Sequence, residues 1–466
     1  MKVGLVGPTY QQRSLPFNAQ RSVNLFPVLD QMGKEVASLY SVPGKSLFAT
    51  AGSGPVRGEF SSANGRAFAV SGTNFYEISA SGSASVLGPV ETSSGPVTIA
   101  ENDTQLVICD GQKLYRLTYA TSDFDKIVSA GLPSSVGMVA YSDGYFLATE
   151  NNSGRFYVSA LRDGDTWAAL DFATAESSPD PLKSIVAAVG QVVLHGTRST
   201  EIWTNTGDSS FPFRRISGAK MEVGILSPYS SLDIDNSFMW VGRDRYGQGI
   251  VYKAQGFSPA RVSNEAIESI IQTASDPEGI VSYAYQQEGH VFYILTGGGL
   301  PTSLAYDLTT QQWHERAYLN GDGVFELDLG AAHMFAFDKH LVGDRRNGNI
   351  YELSMDTHAD GGDEELCRER VYTHLSDEGK RIRFNALELG FETGVGLQGE
   401  SDPVVSLSMS KDGARTWTDC GTASIGAVGE YKTKVQFRRL GIAEQMTFKI
   451  RITDRVKVAI TGSYLT

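Results

Sequence analysis

Seven histidines, at positions 195, 290, 314, 333, 340, 358 and 374, are the side chains best suited to proton transfer or metal ligation near neutral pH. Their spacing contains no HExxH and no other ligand pair. The nearest thing to a metal site is His358 followed by the carboxylates Asp360, Asp363, Glu364 and Glu365, since an oxygen-rich loop can hold Ca2+. It lacks the alternation of an EF-hand loop, and a solvated acidic linker is the plainer expectation. Asp233 and Asp235 are two residues apart. On a strand that spacing sets both carboxylates on one face, as acid–base chemistry or a cation requires. Asn236 and Ser237 follow, which favours a turn into the strand Phe238–Trp240. Gly297, Gly298 and Gly299 could cradle a phosphate only with a helix N-terminus behind them. No helical pattern follows, so a hairpin loop is expected. Cys109, Cys367 and Cys420 lie far apart without a CxxC pair, which argues against a disulfide framework or zinc site and for folding in a reducing compartment. The expectation is therefore no catalytic residue, no cofactor-binding residue and no metal ligand set.

The elements that would carry such groups form a repeat. Each unit is a short apolar strand, a polar or Gly-containing turn and a second strand bearing an aromatic. The copies begin with GRAFAVSGTNFYEI (65–78), TQLVICDGQKLYRL (104–117) and GYFLATENNSGRFYV (144–158), continue with QVVLHGTRSTEIWT (191–204) and FMWVGRDRYGQGIVYK (238–253), and end with HVFYILTGGGLPTSLAYDL (290–308) and KHLVGDRRNGNIYEL (339–353). The aromatic falls at Tyr76, Tyr115, Tyr157, Trp203, Tyr252, Tyr306 and Tyr351. The intervals are close to the roughly 40–50 residues of a four-stranded propeller blade. The first strand of each pair is continuously apolar, as in Phe68-Ala69-Val70 and Leu106-Val107-Ile108. Such strands want cover on both faces, as the middle strands of packed blades have. An all-β fold is expected, a β-propeller of seven blades with six as the alternative count. An open stack of sheets is the competing architecture. Fifty glycines beside 20 Tyr and 22 Phe suit many short strands joined by tight turns.

Beyond residue 355 the pattern changes. IRFNALELGFETG (382–394), PVVSLSMSKDG (403–413), KTKVQFRRLG (432–441) and MTFKIRITDRVKVAITGSYL (446–465) alternate with period two. Phe448, Ile450 and Ile452 share one face, and Lys449, Arg451 and Thr453 the other, which predicts antiparallel strands with one wet face. A C-terminal β-sandwich follows. The expected division is an N-terminal wrapping segment at 1–55, the propeller at 56–355, a linker at 356–368 and the sandwich at 369–466. The first fifty residues have neither signature; they wrap the surface, close the ring with one strand, or meet a partner.

A formal net charge of −13 and pI of about 5.1 argue against gripping nucleic acid, and no basic run exceeds two residues, as in Arg345–Arg346. DNA could slide past such a surface. The N-terminus has no apolar core of signal-peptide length, and no stretch approaches the ~18 apolar residues of a membrane span. Synthesis and folding in a cytosol without a lipid anchor is the expectation.

SKDGARTW (410–417) resembles the Asp-box of sialidases and related propellers, with Ser410, Asp412, Thr416 and Trp417 in place and Ala414 where that pattern prefers glycine. In those families the box is a folding motif whose Asp caps the turn. The opening GPTYQQRSLPFNAQRSVNLFPV…GKEVASLYSVPGKSLF (7–48) resembles the N-terminus of phage packaged-DNA stabilisation proteins. The end, SMSKDGARTWTD with GEYKTKVQFRRLGIAEQMTFKIRITDRVKVAITG (429–462), is similar to the C-terminal pattern of the same family. The resemblance implies a non-enzymatic virion protein, a homohexameric tail hub or nozzle below the portal and its adaptor. It would seat a needle or plug, leave surface for tailspikes or fibres, and be made in the bacterial host's cytoplasm. The alternative is a propeller-based glycan-binding or glycan-cleaving protein, either a receptor-binding tail component or a sialidase-like hydrolase. An enzyme would converge carboxylates and arginines on the propeller axis; a receptor binder would expose aromatics there.

Overall fold

Leu106-Val107-Ile108-Cys109 is an uninterrupted apolar run because both faces of the strand are covered. Leu106 and Ile108 pack with Phe68, Phe75 and Tyr115, whereas Val107 and Cys109 pack with Val139, Phe146 and Tyr157. No position on such a strand meets water, so none favours a polar residue. Phe68 and Val70 are divided in the same way from Ala67 and Ala69, and Val192 and Leu194 from Val193.

In this computed structural model, which describes residues 2–4, 6–29, 37–175, 180–244, 246–362, 364–395 and 402–466, seven antiparallel sheets are built around such strands. Within the described residues they run over Val56–Pro89, Thr98–Lys126, Val136–Thr174, Leu182–Met221, Gly224–Arg261, Ile280–Leu319 and Gly330–Ser354. The inner strand of each sheet touches that of the next, and Gly330–Ala336 of the last touches Val56–Ser61 of the first. The ring is closed: the domain is a β-propeller.

Every aromatic anchor lies on the third strand of its sheet and faces the preceding sheet. Tyr115 packs with Phe68 and Phe75, Trp203 with Leu147 and Phe156, Tyr252 with Val193 and Ile202, and Tyr351 with Phe292 and Ile294. Tyr76 of the first sheet packs with Met334 and Leu341 of the last, so the contact that joins neighbours also closes the circle. The rings supply large apolar area, and the polar tips are satisfied locally. The Tyr115 hydroxyl donates to Asp110 (3.1 Å), the Tyr351 hydroxyl to Asp344 (3.1 Å), and Trp203 Nε1 to Glu201 (2.8 Å).

The N-terminal segment is built into both domains rather than laid over them. Gly44–Thr50 is the outer strand of the last sheet, antiparallel to Asn349–Ser354. Ala19–Val23 lies between Gln312–Leu319 of the sixth sheet and Arg368–Val371, which pairs onward with Gln445–Ile452. One hydrogen-bonded sheet therefore runs from the propeller into the sandwich. Leu25–Leu29 pairs with Ala37–Ser41, and that strand with Ala459–Leu465, so the other sandwich sheet is also completed from the N-terminus. Leu25 and Leu39 share the sandwich core with Phe384, Leu387, Phe448 and Ile450.

Three local findings depart from the sequence reading. The stretch 356–368 is not a solvated crossover throughout: Ala359, Asp360, Leu366, Cys367 and Arg368 are buried, and Glu364 and Glu365 are exposed. Lys449 and Arg451 are half-buried, because the face expected to be wet meets Phe325 of the propeller side. A helix, Glu265–Thr273, sits between the fifth and sixth sheets. Asn264 caps it by accepting a hydrogen bond from Ile267 N (3.1 Å), and Ile267 and Ile271 are fully buried.

Candidate functional site

The inner strands enclose a cavity of about 770 Å3 on the propeller axis, walled largely by Val56, Ile99, Met138, Val139 and Ile185. Its two arginines are held by backbone. Arg57 donates through Nε to Gly95 O (2.7 Å) and through its terminal nitrogens to Gly72 O, Thr92 O, Thr92 Oγ1 and Ser94 O, all within 2.9 Å. Arg345 donates to Asp328 O (3.1 Å) and Leu327 O (3.3 Å), and its outer nitrogen lies 3.8 Å from Glu326, which does not line the cavity. Glu101 accepts from Ser62 Oγ (2.5 Å) and Ala63 N (2.8 Å). Glu59 accepts from Gly343 N (3.1 Å) through one oxygen, and its other oxygen has no partner. Burial pushes its carboxyl up to about 8, so it is mostly protonated at neutral pH. Each arginine ties a loop to the wall, and neither is directed at Glu59.

The other residues singled out by sequence are placed as follows. Asp233 lies on the strand Leu232–Ile234 at the cavity, where burial raises its carboxyl. Asp235 and Asn236, both with positive φ, form the two-residue turn into Ser237–Arg243, and Asp235 pairs with Lys253 at 2.6 Å. The two carboxylates therefore do not act together. Gly297, Gly298 and Gly299 all have positive φ in a hairpin loop, where a Cβ on Gly299 would lie 1.8 Å from Ser275 Oγ. Asp363 falls outside the described residues. Asp360 is buried against Lys45, whose Nζ lies 2.8 Å from Asp360 and 2.6 Å from Asp328. An ammonium occupies the position a metal would need.

His195, His290 and His314 are buried, and the other four histidines are half-buried. His195 bonds Thr200 Oγ1 (2.8 Å) and Ser231 Oγ (2.9 Å), and burial pushes it down to about 3. His290 meets Asp307 (2.8 Å), His333 meets His340 (3.1 Å), and His374 meets Leu15 O (2.6 Å). Among the described residues no group of three or more His, Cys, Asp or Glu is arranged to hold a metal ion. In the Asp-box hairpin, Asp412 accepts from Thr416 Oγ1 (2.6 Å), Thr416 N (3.0 Å) and Arg415 N (3.1 Å), while Ala414 N donates to Ser410 Oγ (2.9 Å). The hydrogen bonds from Thr416, foremost among these, hold the Asp412 carboxyl well below the usual range. Ala414 has φ +66°, which is why the pattern prefers glycine there.

The junction between the domains holds several buried or half-buried charges. Arg21 meets Glu315 through a forked contact (2.6 and 3.0 Å), and Thr302 donates to the same carboxylate at 2.8 Å. Arg451 meets Glu369 at 2.7 Å. Arg368, fully buried, donates to Ser41 Oγ, Asp454 O and Val456 O. Arg370 donates to Pro8 O, Arg21 O and Gln20 Oε1. The sequence set Arg451 on one face of its strand but marked none of these pairings, because the arginines' partners lie mostly on distant segments.

A closed propeller continued by shared strands into a sandwich defines a class of two-domain, all-β protein. Solved structures resemble it only loosely. The N-terminal domain of Nup159 aligns at TM-score 0.41 and 11% identity, covering 72% of this chain and 98% of that one. The extracellular domain of a putative hybrid two-component system from B. thetaiotaomicron aligns at 0.46 and 10%, covering 85% of this chain and 48% of that one. No curated protein matches the chain. The chain belongs to the bacteriophage P22 Gp10 family, whose β-propeller model matches residues 1–358 and whose β-sandwich model matches residues 368–466. It is a structural protein of the phage tail, a virion component that assembles with other tail proteins.

Proposed function

We propose that this chain forms the hub or nozzle ring of a short-tailed phage, extending the DNA channel below the portal and adaptor and helping to retain packaged DNA. Membership of the Gp10 family across both domains carries the reading. The shared sheet supports it, since a propeller and sandwich tied by backbone hydrogen bonds behave as one rigid wedge suited to a ring of identical subunits, six by resemblance. A net charge of −13 suits a wall that DNA must pass without adhering. The protein works by assembly and not by catalysis: both arginines on the propeller axis are committed to backbone carbonyls, and an arginine–carboxylate set is what a sialidase-like reaction would need there.

Electron microscopy of the purified chain mixed with its adaptor protein is the test. Closed rings with an acidic lumen are expected. A persistent monomer, or a basic lumen, would overturn the reading. Incubation with host surface polysaccharide is expected to release no sugar, and release abolished by Glu59→Gln would favour the hydrolase instead.

A further inference from the structure

A second pocket, of about 220 Å3, opens where the two domains meet. Arg21, Lys449 and Arg451 line it with a single carboxylate, Glu369, and two aromatic rings, Phe325 and Trp417. Phe325 lies 5.4 Å from both guanidinium carbons, which fixes the two arginines against one ring. Each arginine also has a carboxylate within 3 Å. Lys449 differs: its ammonium rests over Trp417, 4.6 Å from the ring centroid, with no carboxylate at ion-pair distance among the described residues. The lining thus carries three cations against one anion in a half-buried recess. An unpaired charge there is costly unless something neutralises it.

We propose that this pocket binds one carboxylate group, held between the Lys449 ammonium and the Arg451 guanidinium over the Trp417 ring. The volume falls below the ~300–1,000 Å3 of pockets for whole small molecules, which suits a single side-chain-sized group. Arg451 already gives Nε and one terminal nitrogen to Glu369 (3.1 and 2.7 Å), so its other terminal nitrogen would meet the new carboxylate, and the ammonium adds a point charge. The lysine is primed for such a partner: burial, with Arg451 and Arg21 beside it, outweighs Glu369 and holds its ammonium below the usual lysine range. A bound carboxylate would raise it again. The group can come from a free acid or from a Glu or Asp side chain of another protein. The site does not depend on the tail reading.

The test is reductive methylation of the full chain, resolved at each lysine by mass spectrometry, at constant ionic strength. The probes are N-acetylglutamate, a capped extended peptide with one Glu, inorganic phosphate and sodium chloride. Saturating carboxylate is expected to slow labelling of Lys449 at least fivefold and to leave exposed Lys432 unchanged. Protection by the peptide at tenfold lower concentration assigns the carboxylate to a protein partner, and equal potency assigns it to a free acid. In calorimetry, Lys449→Gln, shown folded by an unchanged melting temperature, is expected to lose the binding heat. An unchanged Lys449 rate, or equal protection by chloride or phosphate, would overturn the proposal.

Discussion

Lys45 and Asp360 meet at 2.8 Å in the protein interior although 315 positions separate them in the chain. The ammonium also touches Asp328 at 2.6 Å, so one N-terminal lysine joins the entry to the last propeller sheet with the segment leading to the sandwich. Its charge is retained because the two carboxylates outweigh the cost of burial.

Removing one member of a buried ion cluster strands the others. Lys45→Met is expected to destabilise the protein by ~3–5 kcal/mol, read as a lower midpoint in chemical denaturation. Asp360→Asn should cost clearly less, because Asp328 still neutralises the lysine. Equal losses would show that Asp328 alone does not neutralise the lysine.

Arg21→Ala removes the forked contact to Glu315 that ties the bridging strand Ala19–Val23 to the sixth sheet. A loss of about 3 kcal/mol is expected. The calorimetric transition should split in two as propeller and sandwich uncouple, and limited proteolysis should then separate fragments near residue 360. One unchanged transition would contradict this.

Glu59 gives a pH dependence with a definite sign. Its folded value of about 8 lies above its ordinary 4.5, so the folded chain keeps a proton that the unfolded chain releases. The corresponding stability is complete below about pH 4.5 and is lost as pH rises through 8. Glu59→Gln should flatten the fall in unfolding free energy between pH 5 and 8, read by chemical denaturation, by on the order of 1–2 kcal/mol because the residue keeps some exposure at the cavity rim. An unchanged slope would sink the assignment.

The anchors should matter in proportion to the area they bury. Trp203→Ala is expected to cost ~3–5 kcal/mol. Tyr115→Phe keeps the ring but takes the hydroxyl from Glu91 N and removes one of the several donors to Asp110, at about 1–2 kcal/mol. Both are measurable by urea unfolding.

In the Asp-box, Asp412→Ala is expected to lower the melting temperature by releasing Thr416 and Arg415. Ala414→Gly should stay within about 1 kcal/mol of the parent, since relief of the left-handed backbone offsets the lost buried methyl.

The propeller was readable because its pattern is local. Leu106 to Cys109 alternate between two neighbouring sheets, so the requirement for apolar residues on both faces is written into consecutive positions. The helix Glu265–Thr273 is marked in the sequence only by Asn264 and the spacing of Ile267 and Ile271, a faint signal because nine residues carry few repeats of the helical period. The axial cavity could not be anticipated. Whether Arg57 faces a ligand or its own loop depends on the course of residues 92–95, which no periodicity encodes.

By itself, then, the sequence determined strand pairs, aromatic anchors, the change of character after residue 355 and the family. Each of these rests on contacts between residues near in the chain or on patterns repeated along it. The tertiary structure alone decided that Gly44–Thr50 closes the ring, that Ala19–Val23 runs one sheet through both domains, and that Lys449 turns toward Trp417 instead of water. Those outcomes join segments hundreds of residues apart. Backbone hydrogen bonding is the same for any strand, so only the assembled packing selects the partner.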